Sequence, residues 1–202
     1  CMAHTRALAD RVIPGEGLAW DALRIAAANL LMILCAQVAI PLPWTPVPVT
    51  GQTFGVMLVA VLLGSRRAAI ALALYLFEGA AGLPVFQPFG APGALRLLGP
   101  TAGYLLSYPL AAFLIGLLTE ARSPGANGYS LRRLVVALVA GETLILTSGW
   151  VWLAFVARTD LVQAAVPGLL TFVPVEAAKI ALVIAVAYGL NWVRPANSDS
   201  NA

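Results

Sequence analysis

Two side chains of opposite charge lie three residues apart in an otherwise apolar stretch near the end of the chain. Glu176 and Lys179 belong to the segment FVPVEAAKIALVIAV, and Lys179 is the only lysine in a chain that otherwise uses arginine. Residues at i and i+3 share one face of a helix, so the two charges can touch. The pair is either a structural ion pair between helices or part of a ligand site. The placement of the single lysine favours a ligand site, in which a compact ammonium meets a substrate carboxylate.

Two more carboxylates and two loop aromatics are candidates for the same site. Glu142, in the triplet GET, could accept a hydrogen bond from a polar substrate, although a bond to Ser or Thr of another helix is the favoured alternative. Glu78 lies near the end of an apolar run, where we expect a solvated carboxylate at the membrane surface. Trp44 and Phe86 lie in proline-rich loops and could cover a binding site.

The motifs of common enzymes do not occur in the sequence. There is no G-x-x-x-x-G-K-[ST] loop for ATP, no H-E-x-x-H and no serine nucleophile elbow, and the single histidine is His4. The two cysteines have neither metal-site nor disulfide-framework spacing. The arginines are not clustered with aromatics in a way that would follow a nucleic acid. The sequence therefore predicts no enzyme, cofactor, metal site or nucleic-acid partner.

The composition indicates which elements must hold these side chains. Hydrophobic residues make up 60% of the 202 residues and charged residues only 10%, with a mean hydropathy of +0.88. In a lipid bilayer, backbone groups must pair within helices or a closed barrel. The long apolar runs lack the alternation of barrel strands, so the sequence predicts an all-α integral membrane protein with the lipid bilayer as its surroundings.

Six apolar runs predict six transmembrane helices in one domain covering residues 1–202. A polar lead (1–20) precedes the bundle (22–190), and a flexible tail (194–202) follows it. Two runs are shorter than an ordinary span of roughly 17 to 25 residues and could instead form a re-entrant hairpin. We favour two spans, because a hairpin tip would place Arg66 and Arg67 in the membrane at roughly 2.5 to 3.5 kcal/mol each. The six predicted spans are residues 22–42, 52–64, 67–80, 100–118, 134–156 and 166–190.

The distribution of arginine predicts the orientation of the bundle. Arginines concentrate in the lead, the turn at 64–67, the loop at 119–133 and the tail, whereas the other loops hold only Arg96 and Arg158. Cytoplasmic loops are enriched in Arg and Lys, so both termini are predicted to be cytoplasmic. The connections 42–51, 81–99 and 157–165 then face outward and would form the mouth of a site for an external solute.

Three blocks of sequence strongly resemble one family. They are PVPVTGQTFGVMLVAVLLGSRRAAIALALYLFEGAAGLPVF (46–86), LLGPTAGYLLSYPLAAFLIG (97–116) and FVPVEAAK (172–179). The family they resemble is BioY, the biotin-binding S component of energy-coupling factor (ECF) transporters. The last block is similar to the family element F-x-P-G-D-x-x-K, except that Val175 and Glu176 replace Gly and Asp. The loop at 87–95 also departs from the family pattern, so the family's contact there is not transferred.

The resemblance implies a six-helix S-component fold that captures biotin with high affinity at the cytoplasmic membrane. It implies partners as well: a membrane T component and two ABC ATPases, which would supply the ATP chemistry that this chain lacks. By position, Lys179 and Glu176 match the family residues that engage biotin, and the blocks containing Phe86 and Tyr104 border the family's cavity. Small residues at A-x-x-x-A spacing, Ala22 and Ala26, resemble the contact with the T component.

Two alternative functions remain open at this stage. One is a solitary carrier that moves biotin without ATPase partners, using Glu142 or Glu176 as a protonatable group. The other is a membrane scaffold or enzyme without a transport role, in which the ion pair is purely structural.

Overall fold

A computed structural model of the chain describes residues 8–120, 129–190 and 193, without the side chains of residues 11 and 12. Residues 1–7 of the predicted polar lead, the loop 121–128 and the predicted tail lie outside the described residues. The described helices are α1 (Ala9–Val12), α2 (Leu18–Gln37), α3 (Gln52–Leu63), α4 (Ser65–Ala80), α5 (Ala102–Glu120), α6 (Leu131–Ala157), α7 (Leu161–Ala165) and α8 (Val173–Gly189). A 3-10 helix (Gly93–Leu98), a π-helix (Val166–Leu170) and two short antiparallel strands, β1 (Ala39–Ile40) and β2 (Val49–Thr50), complete the fold.

Four helical segments of the described chain are long and apolar enough to cross a membrane: Leu18–Gln37, Ala102–Glu120, Leu131–Ala157 and Leu161–Gly189. Their outer faces carry large exposed apolar side chains at helical spacing, such as Leu106, Leu110, Phe113 and Leu117 on α5. Such faces are costly in water and are satisfied by lipid. The prediction of a helical, multi-pass membrane protein is confirmed in this general form.

The short helix α3 lies at the centre of the bundle. It packs against α2, α4, α5 and α8, and most of its residues are buried, from Gln52 at its start to Leu63 at its end. An apolar run of this length is typical of a buried core helix. The central position explains why α3 can be apolar on nearly every face. It also places the first turn of α3 among the side chains of several other helices.

The first long helix ends earlier than the sequence predicts. The predicted span reached residue 42, whereas α2 ends at Gln37 and is followed by β1, in which Ala39 pairs with Thr50 and Ile40 with Val49. A residue that precedes proline is disfavoured in the helical conformation. Pro41 therefore pushes Ile40 into extended backbone, and the chain turns back through a two-stranded hairpin instead of continuing the helix.

The last predicted span is also divided. In place of one helix over 166–190, the chain forms the π-helix and α8 with a turn at residues 171 and 172, and α7 precedes them within the predicted loop 157–165. Pro167 and Pro174 occupy the first turns of the π-helix and of α8. Proline has no backbone N–H and is favoured at the start of a helix rather than inside one. The break places Phe172 and the first turn of α8 beside the start of α3.

The end of the bundle where α2 and α4 begin is held by ion pairs. Arg24, only 2% exposed, lies 2.8 Å from Asp21 and 3.2 Å from Asp10, and Arg67 lies 2.8 Å from each of the same two carboxylates. Arg24 also donates to the carbonyls of Ile13 and Gly15. Sequence alone did not single out Arg24. These contacts join α1, α2 and α4 at the end of the bundle opposite to the loops that carry Trp44 and Phe86.

Candidate functional site

A cavity lies at the loop end of the bundle, between the first turn of α3, the start of α8 and the loops around them, with about 40 Å³ open to the centre of a water-sized sphere. The wall is mainly apolar and aromatic, with polar side chains at separate points. It is formed by Val47, Pro48, Thr50, Gln52, Thr53, Phe86, Gln87, Arg96, Thr101, Tyr104, Leu105, Tyr108, Leu146, Phe172 and Glu176.

One polar end of the cavity is a closed network of three side chains. Lys179 Nζ lies 2.7 Å from Glu176 Oε1 and donates to Thr53 Oγ1 at 2.8 Å, while Thr53 donates to Glu176 Oε2 at 2.7 Å. Thr53 and Glu176 are buried and Lys179 is largely buried. The helical spacing of Glu176 and Lys179 on α8 brings the charges together, and the central position of α3 supplies the hydroxyl. We call this the Thr53–Glu176–Lys179 network.

A single guanidinium forms the other polar part of the cavity. Arg96, in the 3-10 helix, is 6% exposed and donates to the carbonyls of Gln87, Phe89 and Ala91. Among the described residues, no carboxylate forms an ion pair with it. Burial lowers the pKa of the Arg96 guanidinium, and the nearby Tyr75 opposes that shift. Because an arginine remains protonated in proteins, Arg96 brings an uncompensated positive charge to the cavity.

Aromatic rings form much of the rest of the wall. The rings of Tyr104 and Phe172 are 6.3 Å apart, and Phe86 meets Tyr75 edge-to-face with 5.3 Å between centroids. Tyr104 donates its hydroxyl to the carbonyl of Gly168 in the π-helix, which ties α5 to the divided last span. Rings held in this way offer flat apolar surfaces for a ligand.

Tyr104 can take this position because residue 149 of α6 is a glycine. A Cβ added at Gly149 would lie 2.1 Å from atoms of the Tyr104 ring. Glycine therefore allows the tyrosine ring to lie against the α6 backbone while its hydroxyl reaches Gly168. The wall of the cavity depends on this close approach.

The structure brings several of the sequence-predicted residues together. Phe86, Tyr104 and Glu176 line the cavity, and Lys179 lies directly behind Glu176 in the network. Trp44 is 61% exposed and is not part of the cavity wall described above. Glu142 is 3% exposed and lies one helical turn before Leu146, which does line the cavity.

Thr53 and Arg96 are among the cavity residues that were not predicted from sequence. Thr53 lies in an apolar run, and one threonine carries no signal without knowledge of which helix faces it. Arg96 had a visible signal, because it is one of only two arginines in the three loops predicted to face outward. An arginine in a loop that otherwise lacks arginine is a candidate for an anion contact.

The arrangement suits binding rather than catalysis. The cavity offers a carboxylate and an ammonium at one end, an unpaired guanidinium at another and aromatic surfaces between them. No group of three or more His, Cys, Asp or Glu side chains that could hold a metal ion occurs in the described part of the chain. The chemistry fits an amphipathic small molecule with an apolar body, hydrogen-bonding groups and one anionic end.

Comparison with known proteins identifies relatives over most of the chain. Residues 7–196 match the BioY family. The biotin transporter BioY of Thermotoga maritima is 38% identical over 160 residues, which cover 79% of this chain and 89% of that protein. The biotin transporter BioY of Rhizobium etli is 34% identical over 173 residues, or 81% of this chain and 91% of that protein.

A solved structure shares the fold. The crystal structure of the S component for biotin from an ECF-type ABC transporter superposes with a TM-score of 0.73 at 25% identity. The match covers 88% of this chain and 95% of that one.

Proposed function

This chain belongs to the BioY family, and on that premise we propose that it is the substrate-binding S component of an ECF-type biotin transporter. The observation that carries the proposal is the cavity, because it contains Phe86, Tyr104 and Glu176, three residues that the family resemblance assigns to the ligand site. The names of the relatives and of the solved structure support the same ligand and the same role as a subunit for biotin uptake.

The chemistry of biotin matches the cavity. Its fused rings are largely apolar and suit the walls formed by Tyr104 and Phe172. The ureido edge has N–H donors and a carbonyl acceptor, and the valerate chain ends in a carboxylate. The ligand therefore needs two different polar contacts, one with mixed hydrogen-bonding character and one with positive charge, and the cavity has both.

Charge balance favours one orientation of the ligand. The Thr53–Glu176–Lys179 network already pairs its ammonium with a carboxylate, and a second carboxylate, Glu142, lies near it. A third anion there would leave an excess of negative charge in a medium of low dielectric constant. Arg96 has no carboxylate partner among the described residues. We therefore place the valerate carboxylate near Arg96 and the ureido edge at Glu176 and Lys179.

This orientation differs from the one that sequence alone suggested, in which Lys179 meets the ligand carboxylate. Lys179 keeps a role in binding in both cases. In the proposed orientation it donates to the ureido oxygen, and the neighbouring Glu176 accepts from a ureido N–H. The longer side chain of Glu176, compared with the aspartate of the family element, is accommodated by the hydrogen bond from Thr53.

The proposal extends to the membrane and to partners. We propose that all six segments cross the cytoplasmic membrane, with α3 and α4 as short spans, both termini in the cytoplasm and the cavity facing outward. A T component and two ABC ATPases would power the uptake. Ala22 and Ala26 lie exposed on α2, and small residues permit the close helix contacts that a membrane partner requires.

The binding function is tested by equilibrium dialysis of the purified chain with labelled biotin. We expect saturable binding with one biotin per chain, competed by unlabelled biotin and not by a fatty acid of similar length. Absence of saturable binding would remove the proposed ligand.

The partner is tested separately by copurification of the T component and ATPases with a tagged copy from native membranes. Loss of that association on Ala22→Leu or Ala26→Leu, with Ala27→Leu, an exposed position about 100° around α2 from Ala26, as control, supports the helix face proposed here. Biotin uptake by vesicles containing this chain alone would favour a solitary carrier instead.

A further inference from the structure

A buried carboxylate near the network has no hydrogen-bond partner. Both oxygens of Glu142 are shielded from solvent, and within the described part of the chain neither accepts a hydrogen bond. A buried polar group normally finds a partner, and an unpaired buried carboxylate is costly. An apolar side chain at position 142 would avoid this desolvation cost. The carboxylate therefore needs a functional explanation.

The sequence alternative for Glu142, a hydrogen bond to Ser or Thr of another helix, does not occur within the described part of the chain. Thr147, on the following turn of α6, donates to the carbonyls of Thr143 and Leu144 in its own helix. Gly141, beside Glu142, packs closely on Ile115 of α5. The position is therefore closely packed, and its polar group is not satisfied by its own helix.

The charges nearest to Glu142 belong to the network. Glu142 lies within electrostatic range of Lys179, which attracts its carboxylate, and of Glu176, which repels it. Its place on α6, one turn before Leu146 of the cavity wall, puts it behind the cavity rather than in it. The helix α6 packs against α5, α8 and α3 as well as α7 and the π-helix, and Tyr108 of α5 lies in the same electrostatic neighbourhood as Glu142.

Lys179 has a donor to spare. An ammonium carries three N–H donors, and among the described residues two contacts of Lys179 use them, with Glu176 and Thr53. A ligand that engages Glu176 competes directly with one of these two contacts. The Lys179 ammonium then needs another negatively charged partner in place of Glu176.

From these contacts we propose that Glu142 is a second counter-charge for Lys179, a positioning residue that holds the ammonium when a ligand engages Glu176 and Thr53. In the empty site Lys179 pairs with Glu176. In the occupied site Glu176 turns its oxygens to ligand N–H groups, and Lys179 pairs with Glu142 while donating to the ligand carbonyl. The inference rests on the proposed function for the identity of the ligand, and it links occupancy of the cavity to the contact between α6 and α8.

The test is a double-mutant cycle between Glu142→Leu and Lys179→Met, measured by biotin binding to the full chain in detergent. In the otherwise unchanged protein, Glu142→Leu should weaken binding by roughly tenfold or more, as expected for a charged contact. In the Lys179→Met background it should cause no further loss, because its effect passes through the ammonium. A loss of equal size in both backgrounds, or no loss in either, contradicts the proposal.

Thermal stability of the ligand-free protein provides a second readout that needs no biotin. Removal of an unpartnered buried carboxylate should raise the Tm of the empty protein, whereas removal of a structural contact should lower it. A lower Tm with Glu142→Leu, repeated with the conservative Glu142→Gln, overturns the inference. Glu78→Gln is the matched control, since Glu78 also has an unpartnered buried oxygen but lies on α4, outside the contact between α6 and α8, and we expect unchanged affinity.

The outcomes separate the two proposals. If the unmodified chain binds no biotin, the proposed function fails, and the stability comparison still decides whether Glu142 is an unsatisfied charge. If the chain binds biotin and the cycle shows no coupling, the proposed function stands and the role of Glu142 fails.

Discussion

The hydroxyl of Thr53 donates a 2.7 Å hydrogen bond to Oε2 of Glu176, a residue 123 positions later in the chain. This bond joins the central helix α3 to the start of α8, and Lys179 closes the network by donating to both side chains. Because hydrogen bonds in a buried network strengthen one another, the three side chains hold a fixed geometry at one end of the cavity. In the ligand-free site Glu176 is thereby held at the cavity wall.

The network predicts a specific effect of removing one hydroxyl. Thr53→Val keeps the shape of the side chain but takes a donor from Glu176 and an acceptor from Lys179. We expect biotin to bind roughly tenfold more weakly, in line with the free energy of hydrogen bonds to charged groups. Titration calorimetry of the purified variants measures the change.

Two controls accompany this substitution. Thr53→Ser keeps the hydroxyl and should bind nearly as the unmodified protein does. Thr147→Val removes a hydroxyl that bonds only to its own helix and should leave affinity unchanged. Equal affinity of Thr53→Val and the unmodified protein would contradict a role for the network in binding.

The orientation of the ligand is tested at Arg96. Arg96→Gln should weaken the binding of biotin by more than it weakens the binding of biotinamide, which lacks the negative charge. The ratio isolates the carboxylate contact from any disturbance of the loop carbonyls that Arg96 also holds. A comparison of dissociation constants for both ligands measures it.

Lys179→Ala provides the reciprocal experiment. In the proposed orientation it weakens biotin and biotinamide by similar factors, because it contacts the ureido end of both. If the preference for biotin over biotinamide is lost with Lys179→Ala and kept with Arg96→Gln, the ligand lies in the reverse orientation.

The sequence predicted the Glu176–Lys179 ion pair better than the rest of the cavity wall. Glu176 and Lys179 were visible because ionisable residues are rare in apolar runs, and helical spacing alone brings them together. Phe86 and Tyr104 came from the family resemblance. Thr53 could not be found in this way, because its role depends on which residues of α8 lie opposite α3.

The sequence likewise predicts the existence of the helices better than the positions of their ends. The existence of the long helices follows from their apolar runs, whereas their ends depend on local backbone chemistry. Pro41 ends the helical tendency of the residues before it, and the hairpin of β1 and β2 then replaces the last turn of the predicted span. Pro167 and Pro174 divide the last span, and no periodicity of apolar residues reveals where such a break lies.

The close contact between Tyr104 and α6 predicts the result of adding one methyl group. Gly149→Ala would place a Cβ against the Tyr104 ring, so the ring must move and its hydroxyl bond to Gly168 must lengthen. We expect weaker biotin binding together with a lower Tm, since overpacking in a core costs about 1 to 3 kcal/mol. Binding assays and thermal unfolding in detergent measure the two effects.

Gly189→Ala is the matched control for this change. A Cβ at Gly189 meets no heavy atom within 4 Å, and alanine has a higher helix propensity than glycine. Affinity should be unchanged and the Tm equal or slightly higher. A similar response at both glycines would show that Tyr104 does not depend on the close approach at Gly149.

The ion pairs at the opposite end of the bundle predict a change in stability without a change in binding. Arg24→Met leaves Asp10 and Asp21 with one arginine fewer in a buried position, and we expect a loss of about 2 to 4 kcal/mol. Arg66→Met, at an exposed position beside Arg67, should have little effect. Thermal unfolding measures both, and biotin affinity at temperatures where the variants are folded should match the unmodified protein.

The central claim is that biotin lies in the cavity between Arg96 and the Thr53–Glu176–Lys179 network. The most direct measurement is an experimental structure of the chain with biotin bound. We predict the fused rings between Tyr104 and Phe172, the ureido edge at Glu176 and Lys179, and the carboxylate near Arg96. Biotin bound elsewhere on the protein, or an occupied cavity whose ligand makes no contact with Glu176 and Lys179, would contradict the account.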